Sequence, residues 1–212
     1  MTFRGWASEA LEFYDGLSAD NSKTFWTDHL HVYETQVREP MRELLSALEP
    51  EFGPGKIFRP YRDVRFSNDK TPYKTHLGAW LESGGYIQLS ADGLAAGCGM
   101  YQFAPDQLER YRRAVAADRT GSELTALIEV IEKARIDVHG HGSLKTAPRG
   151  YPKDHPRLEL LRHKGLTTWK EWPPAAWMGT AAVKTRIVDF LRASRPLREW
   201  LNDNVGPSSA SR

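Results

Sequence analysis

The sequence contains one cysteine, Cys98, among 212 residues. A lone cysteine excludes an intramolecular disulfide and a cysteine-built zinc cluster, which is typical of proteins in a reducing compartment. No apolar run reaches the roughly 18 residues that a membrane-spanning helix needs. The first residues also lack the apolar core of a secretory signal. We therefore expect a soluble cytoplasmic protein without a membrane partner.

The chain also has little excess charge, with a formal net charge of +2 and a pI near 8.6. It is therefore not a polycation as a whole, although basic residues cluster over 145–170 and predict a local positive field. Neither GxGxxG nor GxxxxGK[ST] occurs, so these two phosphate-loop routes are not supported. A hydrophobic content of 40% and an aromatic content of 11% indicate a globular chain with a real core.

Apolar residues at helical spacing predict three helices in the first quarter, over 7–17, over 22–34 and from Pro40 to Pro50. Ser8 is a plausible N-cap of the first helix. The apolar face of the third helix consists of Met41, Leu44, Leu45 and Leu48.

Alternating patterns and glycine turns then predict strands over 56–63, 76–82, 86–90 and 94–103, which form an antiparallel meander. Further helices are expected from Pro105, from a capping box at Thr120 and Glu123, and near His155. A strand over 166–172 precedes a helix over 175–193. A last helix opens at Ser194-Arg195-Pro196.

These elements predict an α+β fold in which an antiparallel sheet is flanked by N-terminal and C-terminal helices. One domain is expected over residues 1–205, with a flexible tail over 206–212.

The stretch RPYRDVRFSNDKTPYKT, residues 59–75, is the densest mixture of cations, acids and hydroxyls in the chain. On an extended backbone Arg59, Asp63 and Arg65 share one face, which places a carboxylate between two guanidinium groups. Arginine forks bind carboxylate or phosphate groups through two parallel hydrogen bonds. The stretch therefore predicts a site for an anionic small molecule, phosphorylated or carboxylated. Its predicted ligands are Arg59, Arg62, Arg65, Ser67, Lys70, Tyr73 and Lys74.

Asp63 could orient these cations or act as a base. A second basic, proline- and glycine-rich segment, residues 144–156, could supply the opposite wall through Lys145, Tyr151 and His155. His155 is the other residue that could carry acid–base chemistry. Equally, Asp154 or His155 could simply cap the next helix.

Two other interpretations of the motif stay open. The same cations could form a nucleic-acid-binding module, whose affinity would fall steeply with salt. Alternatively, Arg62, Asp63, Arg65 and Asp69 could form an ion-pair network that braces a long loop in a structural or interaction protein.

Other reactive residues give weaker indications. His139 and His141 stand two apart and could ligate zinc, but no third ligand is evident nearby, so we expect no metal and no cofactor. Cys98 lies between two glycines and is predicted to be a small buried residue, since nothing around it in sequence would depress its pKa.

The segments RDVRFSNDKTPYKT and LKTAPRGYPKDHP resemble a widespread family of conserved hypothetical proteins, a domain-of-unknown-function family of about this length. In that family an R-D-x-R-F-S-x-D-K-x-P-Y-K core lies between an N-x-K-x-W-F-like helix and an L-K-x-x-P-x-G-Y-x-x-x-H-P segment. Here Asn21, Lys23 and Trp26 approximate the first helix, with Phe25-Trp26 where Trp-Phe is common. The resemblance carries no activity or cofactor. It implies that the two basic segments belong to one pattern and face each other.

Overall fold

The computed structural model describes residues 3–65 and 68–209. The helices of these ranges are α1 (Ser8–Ala19), α2 (Lys23–Asp28), α3 (Leu30–Val32), α4 (Glu39–Phe52), α5 (Pro105–Ala116), α6 (Asp118–Lys133), α7 (Leu158–Arg162) and α8 (Ala182–Asn204). A π-helix, Tyr33–Arg38, joins α3 to α4, and a 3₁₀-helix covers Ala176–Gly179. Of the helices described, none combines the length and the apolar character that crossing a membrane would require.

Six strands form one sheet in the order β1-β2-β3-β4-β6-β5. They are β1 (Gly55–Ile57), β2 (His76–Leu81), β3 (Gly85–Ser90), β4 (Gly93–Met100), β5 (Asp137–Gly140) and β6 (Leu166–Trp172). Strand β2 pairs antiparallel with both β1 and β3, and β5 pairs antiparallel with β6. The predicted α+β class, an antiparallel sheet with helices before and after it, is confirmed.

The chain divides into two compact units, each made of two segments. Unit 1 comprises Met1–Ala96 and Glu171–Asp189, and unit 2 comprises Gly97–Lys170 and Phe190–Arg212. The single domain over 1–205 stays a prediction. In the segment predicted as a tail, Ser208 and Ser209 donate hydrogen bonds to Asp106 of α5, and residues 210–212 lie outside the described ranges.

The core of unit 1 contains the apolar faces of α1 and α4 and one face of β2 and β3. Burial confirms the predicted face of the third helix, because its four apolar residues are all buried, as is Phe52 beyond them. Pro50 was predicted to end this helix, which is wrong. The helix continues for two residues to Phe52, whose side chain is only 3% exposed.

The prediction that a separate helix starts at Pro40 is also wrong. The π-helix runs directly into α4, and the Glu39 N–H bonds to the Glu34 carbonyl five residues earlier. In regular α-helix geometry the ring of Pro40 would clash with the carbonyl four residues before it, and Pro40 has no N–H to donate. The wider π turn lies next to this proline and lets the helix pass through it.

The strand predicted over 56–63 is shorter than expected. Strand β1 ends at Ile57, and beyond it an isolated bridge between Tyr61 and Tyr73 pairs the chain with residues 72–74. Around this bridge the Arg62 N–H bonds to Pro72 and the Lys74 N–H bonds to Pro60. Pro60 and Pro72 have no N–H, so the ladder cannot extend regularly through either of them.

In unit 2 the predicted capping box at Thr120 is wrong. Helix α6 begins earlier, at Asp118, and Thr120 is a buried residue inside it whose hydroxyl donates to the Ala114 carbonyl. The predicted break at Ser194-Arg195-Pro196 is also wrong, because α8 continues through Pro196. Buried apolar residues lie on both sides of this proline, among them Phe190 and Leu201. Their burial offsets the roughly 3 kcal/mol that an interior proline costs.

Candidate functional site

The motif loop, residues 59–75, is fixed at its end by Asn21 and Trp26. The Asn21 side chain donates from Nδ2 to the Tyr73 carbonyl over 3.1 Å and accepts the Tyr73 N–H at Oδ1 over 3.0 Å. The Tyr73 ring stacks on the Trp26 ring with a centroid distance of 4.3 Å and an interplanar angle of 7°. Tyr73, predicted as a ligand, is therefore a buried anchor of the loop in this structure.

Two arginines of the motif are paired inside the loop. Arg62 donates to the Asp69 carboxylate and to the Thr71 hydroxyl. Arg65 donates from Nε and Nη2 to the two carboxylate oxygens of Asp63, at 2.9 Å and 2.7 Å. These contacts neutralise two of the predicted anion ligands, and they tie Arg62 to Asp69 and Thr71 and Arg65 to Asp63.

These hydrogen bonds lower the pKa of both carboxyl groups. The Thr71 backbone N–H and hydroxyl, together with Arg62, lower the pKa of Asp69 to about 2. The hydrogen bonds from Arg65 lower the pKa of Asp63, and the charge of Arg59 adds to this effect. Both aspartates are therefore ionised at neutral pH, and Asp63 is a weak base.

The remaining loop residues have different surroundings. Lys70 donates from Nζ to the Val64 carbonyl over 3.0 Å and so closes the loop on itself. Ser67, a predicted ligand, and Phe66 lie outside the described residues.

Arg59 and Lys74 are the cations of the motif whose side chains make no hydrogen bond or ion pair with a described residue. The Lys74 ammonium lies 5.6 Å from the centroid of the Phe58 ring. Partial burial lowers the pKa of Lys74, and the charge of Arg59 lowers it further. Burial and the Lys74 charge likewise lower the pKa of His76. Two cations are thus held close enough to repel each other.

A cleft of about 650 Å³ is lined in part by Arg59. One wall is helical and consists of Trp26, Leu30, Tyr33, Glu34 and Arg38, and the other wall is residues 56–61. Glu34 and Arg38 form an ion pair at 2.8 Å within it. Arg59 belongs to both the cleft and the cation pair, so the two features form one site, which we call the Arg59 cleft.

Tyr33 gives this cleft an unusual polar group. The residue is only 2% exposed, but its hydroxyl is not fully buried and makes no hydrogen bond with any residue described. Burial raises the pKa of Tyr33 to about 12, while the charge of Arg38 opposes the rise. The hydroxyl is therefore protonated at neutral pH and available as a donor. Sequence analysis missed it, because an aromatic residue at helical spacing looks like core.

The second basic segment belongs to unit 2, whereas the motif belongs to unit 1, and their pairing stays a prediction. Within unit 2 the Leu144 N–H bonds to Arg162 and the Tyr151 N–H bonds to Pro148. His155 accepts the Arg157 N–H at Nδ1 over 3.0 Å, one residue before α7. This bond is to the residue that precedes α7, and α7 has no side-chain cap hydrogen bond, so the predicted capping by Asp154 or His155 is wrong. Lys145 is exposed.

The histidine pair and the cysteine are in ordinary surroundings. His141 Nε2 lies 2.7 Å from the Thr167 hydroxyl. In the part of the chain described, no three side chains of His, Cys, Asp or Glu are grouped to hold a metal ion. Cys98 is buried as predicted, and burial raises the pKa of its thiol to about 11.

Comparisons with known proteins give a family without an activity. No curated protein matches the chain. Among solved structures, a conserved hypothetical protein from Pyrococcus furiosus matches with 13% sequence identity and a TM-score of 0.39, over 82% of this chain and 99% of the other. A model of the conserved hypothetical protein family DUF2461 matches residues 9–200, which is most of the sequence, and the chain therefore belongs to that family.

Proposed function

We propose that the protein binds a small anionic ligand, phosphorylated or carboxylated, at Arg59 and Lys74. The observation that carries this proposal is the pair of neighbouring cations, neither of which forms an ion pair or a side-chain hydrogen bond with a described residue, although the charge of Asp63 also acts on Arg59. Like charges that approach each other raise the free energy of the empty site, and a bound anion offsets that cost. The Arg59 guanidinium offers a fork for bidentate binding of a phosphate or carboxylate.

The other charged residues of the motif have a supporting role in this proposal. Arg62 and Arg65 are already paired with Asp69 and Asp63, and these pairs hold the loop that presents Lys74. The lowered pKa of Asp63 makes the carboxylate a poor proton acceptor at neutral pH. The arrangement therefore favours binding over acid–base chemistry at Asp63.

We propose that the protein acts in the cytoplasm, because its single buried cysteine suits a reducing environment. We also propose that the R-D-x-R-F-S-x-D-K-x-P-Y-K pattern is the hallmark of the family, because its side chains build and fix one loop.

A thermal-shift series with inorganic phosphate, pyrophosphate and citrate tests this function. An anion at ten times its Kd stabilises the native state by about 1.4 kcal/mol, which raises Tm by about 3–5 °C for a chain of this size. Arg59→Gln and Lys74→Gln should remove the shift. Lys133→Gln, which removes an exposed lysine of α6, is the matched control and should keep it.

Two results would count against the proposal. One is the absence of stabilisation by every anion at millimolar concentration. The other is a full shift in both variants of the site. A nucleic-acid-binding module would instead show little response to small anions and an affinity for oligonucleotides that falls steeply with salt.

A further inference from the structure

We infer that the anionic ligand is a mononucleotide, whose base lies in the Arg59 cleft and whose phosphate is bound by Arg59 and Lys74. This inference rests on the proposed function and names the class of ligand. It rests on the cleft, whose volume, apolar side chains and polar groups extend well beyond what a bound phosphate ion could contact.

The size of the cleft is the first argument. Its volume of about 650 Å³ lies within the roughly 300–1,000 Å³ that small-molecule sites occupy. A phosphate ion bound at Arg59 would leave most of this space open to water. A ligand that fills the cleft must therefore carry a larger group beside its anionic group.

The exposed apolar side chains indicate what that group is. Leu30, Phe58 and Tyr61 are 43%, 41% and 52% exposed, and all three line this cleft. Large apolar side chains are normally covered, and a cluster of exposed ones marks a binding surface. Because two of the three are aromatic, the surface suits a flat ring that stacks on them.

The polar groups of the cleft suit the edge of a base better than a plain hydrocarbon ring. The Tyr33 hydroxyl makes no hydrogen bond with a described residue, is not fully buried, and can donate to a ring nitrogen or carbonyl. The Glu34 carboxylate, held by Arg38, can accept from an amino group of a base or a hydroxyl of a ribose. A ligand that accepts from Tyr33 therefore gains a hydrogen bond that the described residues do not already use.

The two cations lie where a phosphate attached to a ring in the cleft would reach them. Arg59 lines the cleft and directly follows Phe58 in the chain, and the Lys74 ammonium lies 5.6 Å from the Phe58 ring centroid. A ring that stacks near Phe58 therefore has its anionic substituent next to both cations. The cleft has the volume of a single small-molecule site, so we assign a mononucleotide and not a nucleic-acid strand.

Isothermal titration with four probes tests this inference: adenosine, guanosine, cytidine and uridine 5′-monophosphates, each compared with ribose 5-phosphate. At least one nucleotide should bind tenfold or more tightly than ribose 5-phosphate. Tyr61→Leu and Phe58→Leu keep apolar bulk but remove a flat face, and should weaken that nucleotide about tenfold. Tyr61→Leu should leave the affinity for ribose 5-phosphate unchanged, whereas Phe58→Leu also removes the ring beside Lys74 and should weaken ribose 5-phosphate less than it weakens the nucleotide.

The controls separate this inference from the proposed function. Arg59→Gln should weaken nucleotide and ribose 5-phosphate alike, and Tyr101→Leu, which removes an aromatic residue that is 72% exposed in unit 2, should weaken neither. If the nucleotides bind no better than ribose 5-phosphate, the mononucleotide inference is overturned and anion binding stands. If no probe binds, both fail. Tighter binding of an eight-residue oligothymidylate than of every mononucleotide would overturn the inference in favour of a strand.

Discussion

The side-chain amide of Asn21 binds the backbone of Tyr73 at both its N–H and its carbonyl, across 52 residues of sequence. This pairing reproduces the hydrogen bonds that a neighbouring strand would supply. Asn21 lies just before α2, and Trp26 of the same helix stacks on the Tyr73 ring. The turn between α1 and α2 therefore fixes the end of the motif loop, and with it the position of Lys74.

Replacing Asn21 with alanine should destabilise the protein by about 2 kcal/mol, because the backbone N–H and carbonyl of the buried Tyr73 lose their partners. Urea denaturation measures the loss as a lower midpoint at an unchanged slope. Asn202→Ala, which changes an exposed asparagine of α8, is the control and should stay within about 0.5 kcal/mol of wild type. A loss as small as that control at position 21 would contradict an anchoring role for Asn21.

The stability contributed by Asp69 should disappear in acid. Its folded pKa of about 2 lies below the ordinary value of 3.8. The carboxylate therefore stabilises the fold above about pH 4, and this contribution is lost as the pH falls towards 2.

The comparison of wild type with Asp69→Asn measures this effect. The variant should have the lower Tm at pH 6, and the difference should shrink steadily between pH 4 and pH 2. Asp92→Asn, at a carboxylate without a side-chain hydrogen bond to the described residues, should show little difference at any pH. A constant difference for Asp69→Asn across this range would show that its charge does not matter.

Sequence patterns predicted the helices well where a single apolar face decides the structure. Met41, Leu44, Leu45 and Leu48 recur at helical spacing, and all four are buried. Pro40 and Pro196 misled the prediction, because a local rule assigns each proline a break. In the folded chain the burial of side chains on both sides outweighs the local cost. That balance depends on tertiary contacts that no short window of sequence contains.

The candidate site was found only in part for a similar reason. The density of charge over residues 59–75 predicted a site there, but it did not show which charges pair. Asp63 and Asp69 neutralise arginines of the same loop, and this leaves Arg59 and Lys74 without carboxylate partners among the described residues. Tyr33 belongs to the cleft through the packing of its helix against residues 56–61. No motif marks such a contact.

Cys98 should react slowly with thiol reagents in the native protein. Burial raises the pKa of its thiol to about 11, so the reactive thiolate is scarce at pH 8, and the side chain is only 4% exposed. Disulfide exchange with an aromatic disulfide reagent at pH 8 should be at least about a hundredfold slower than in 8 M urea. A native rate within tenfold of the unfolded rate would contradict the buried position of this thiol.

Binding of phosphate should raise the pKa of Lys74. In the empty site, burial and the charge of Arg59 both favour the neutral amine, which lowers the pKa. A phosphate between the two cations supplies the opposite charge and favours the ammonium form. By linkage, phosphate binding takes up protons in the pH range where Lys74 titrates, and the affinity for phosphate falls as the pH rises through that range.

NMR titration of ¹³C-labelled lysine side chains measures the pKa of Lys74 directly, with Lys74→Gln to assign the signal. Arg59→Gln separates the two causes, since the pKa of Lys74 in the empty variant should be higher than in wild type and should respond less to phosphate. A Lys74 signal that titrates identically with and without saturating phosphate would place the bound anion elsewhere in the protein.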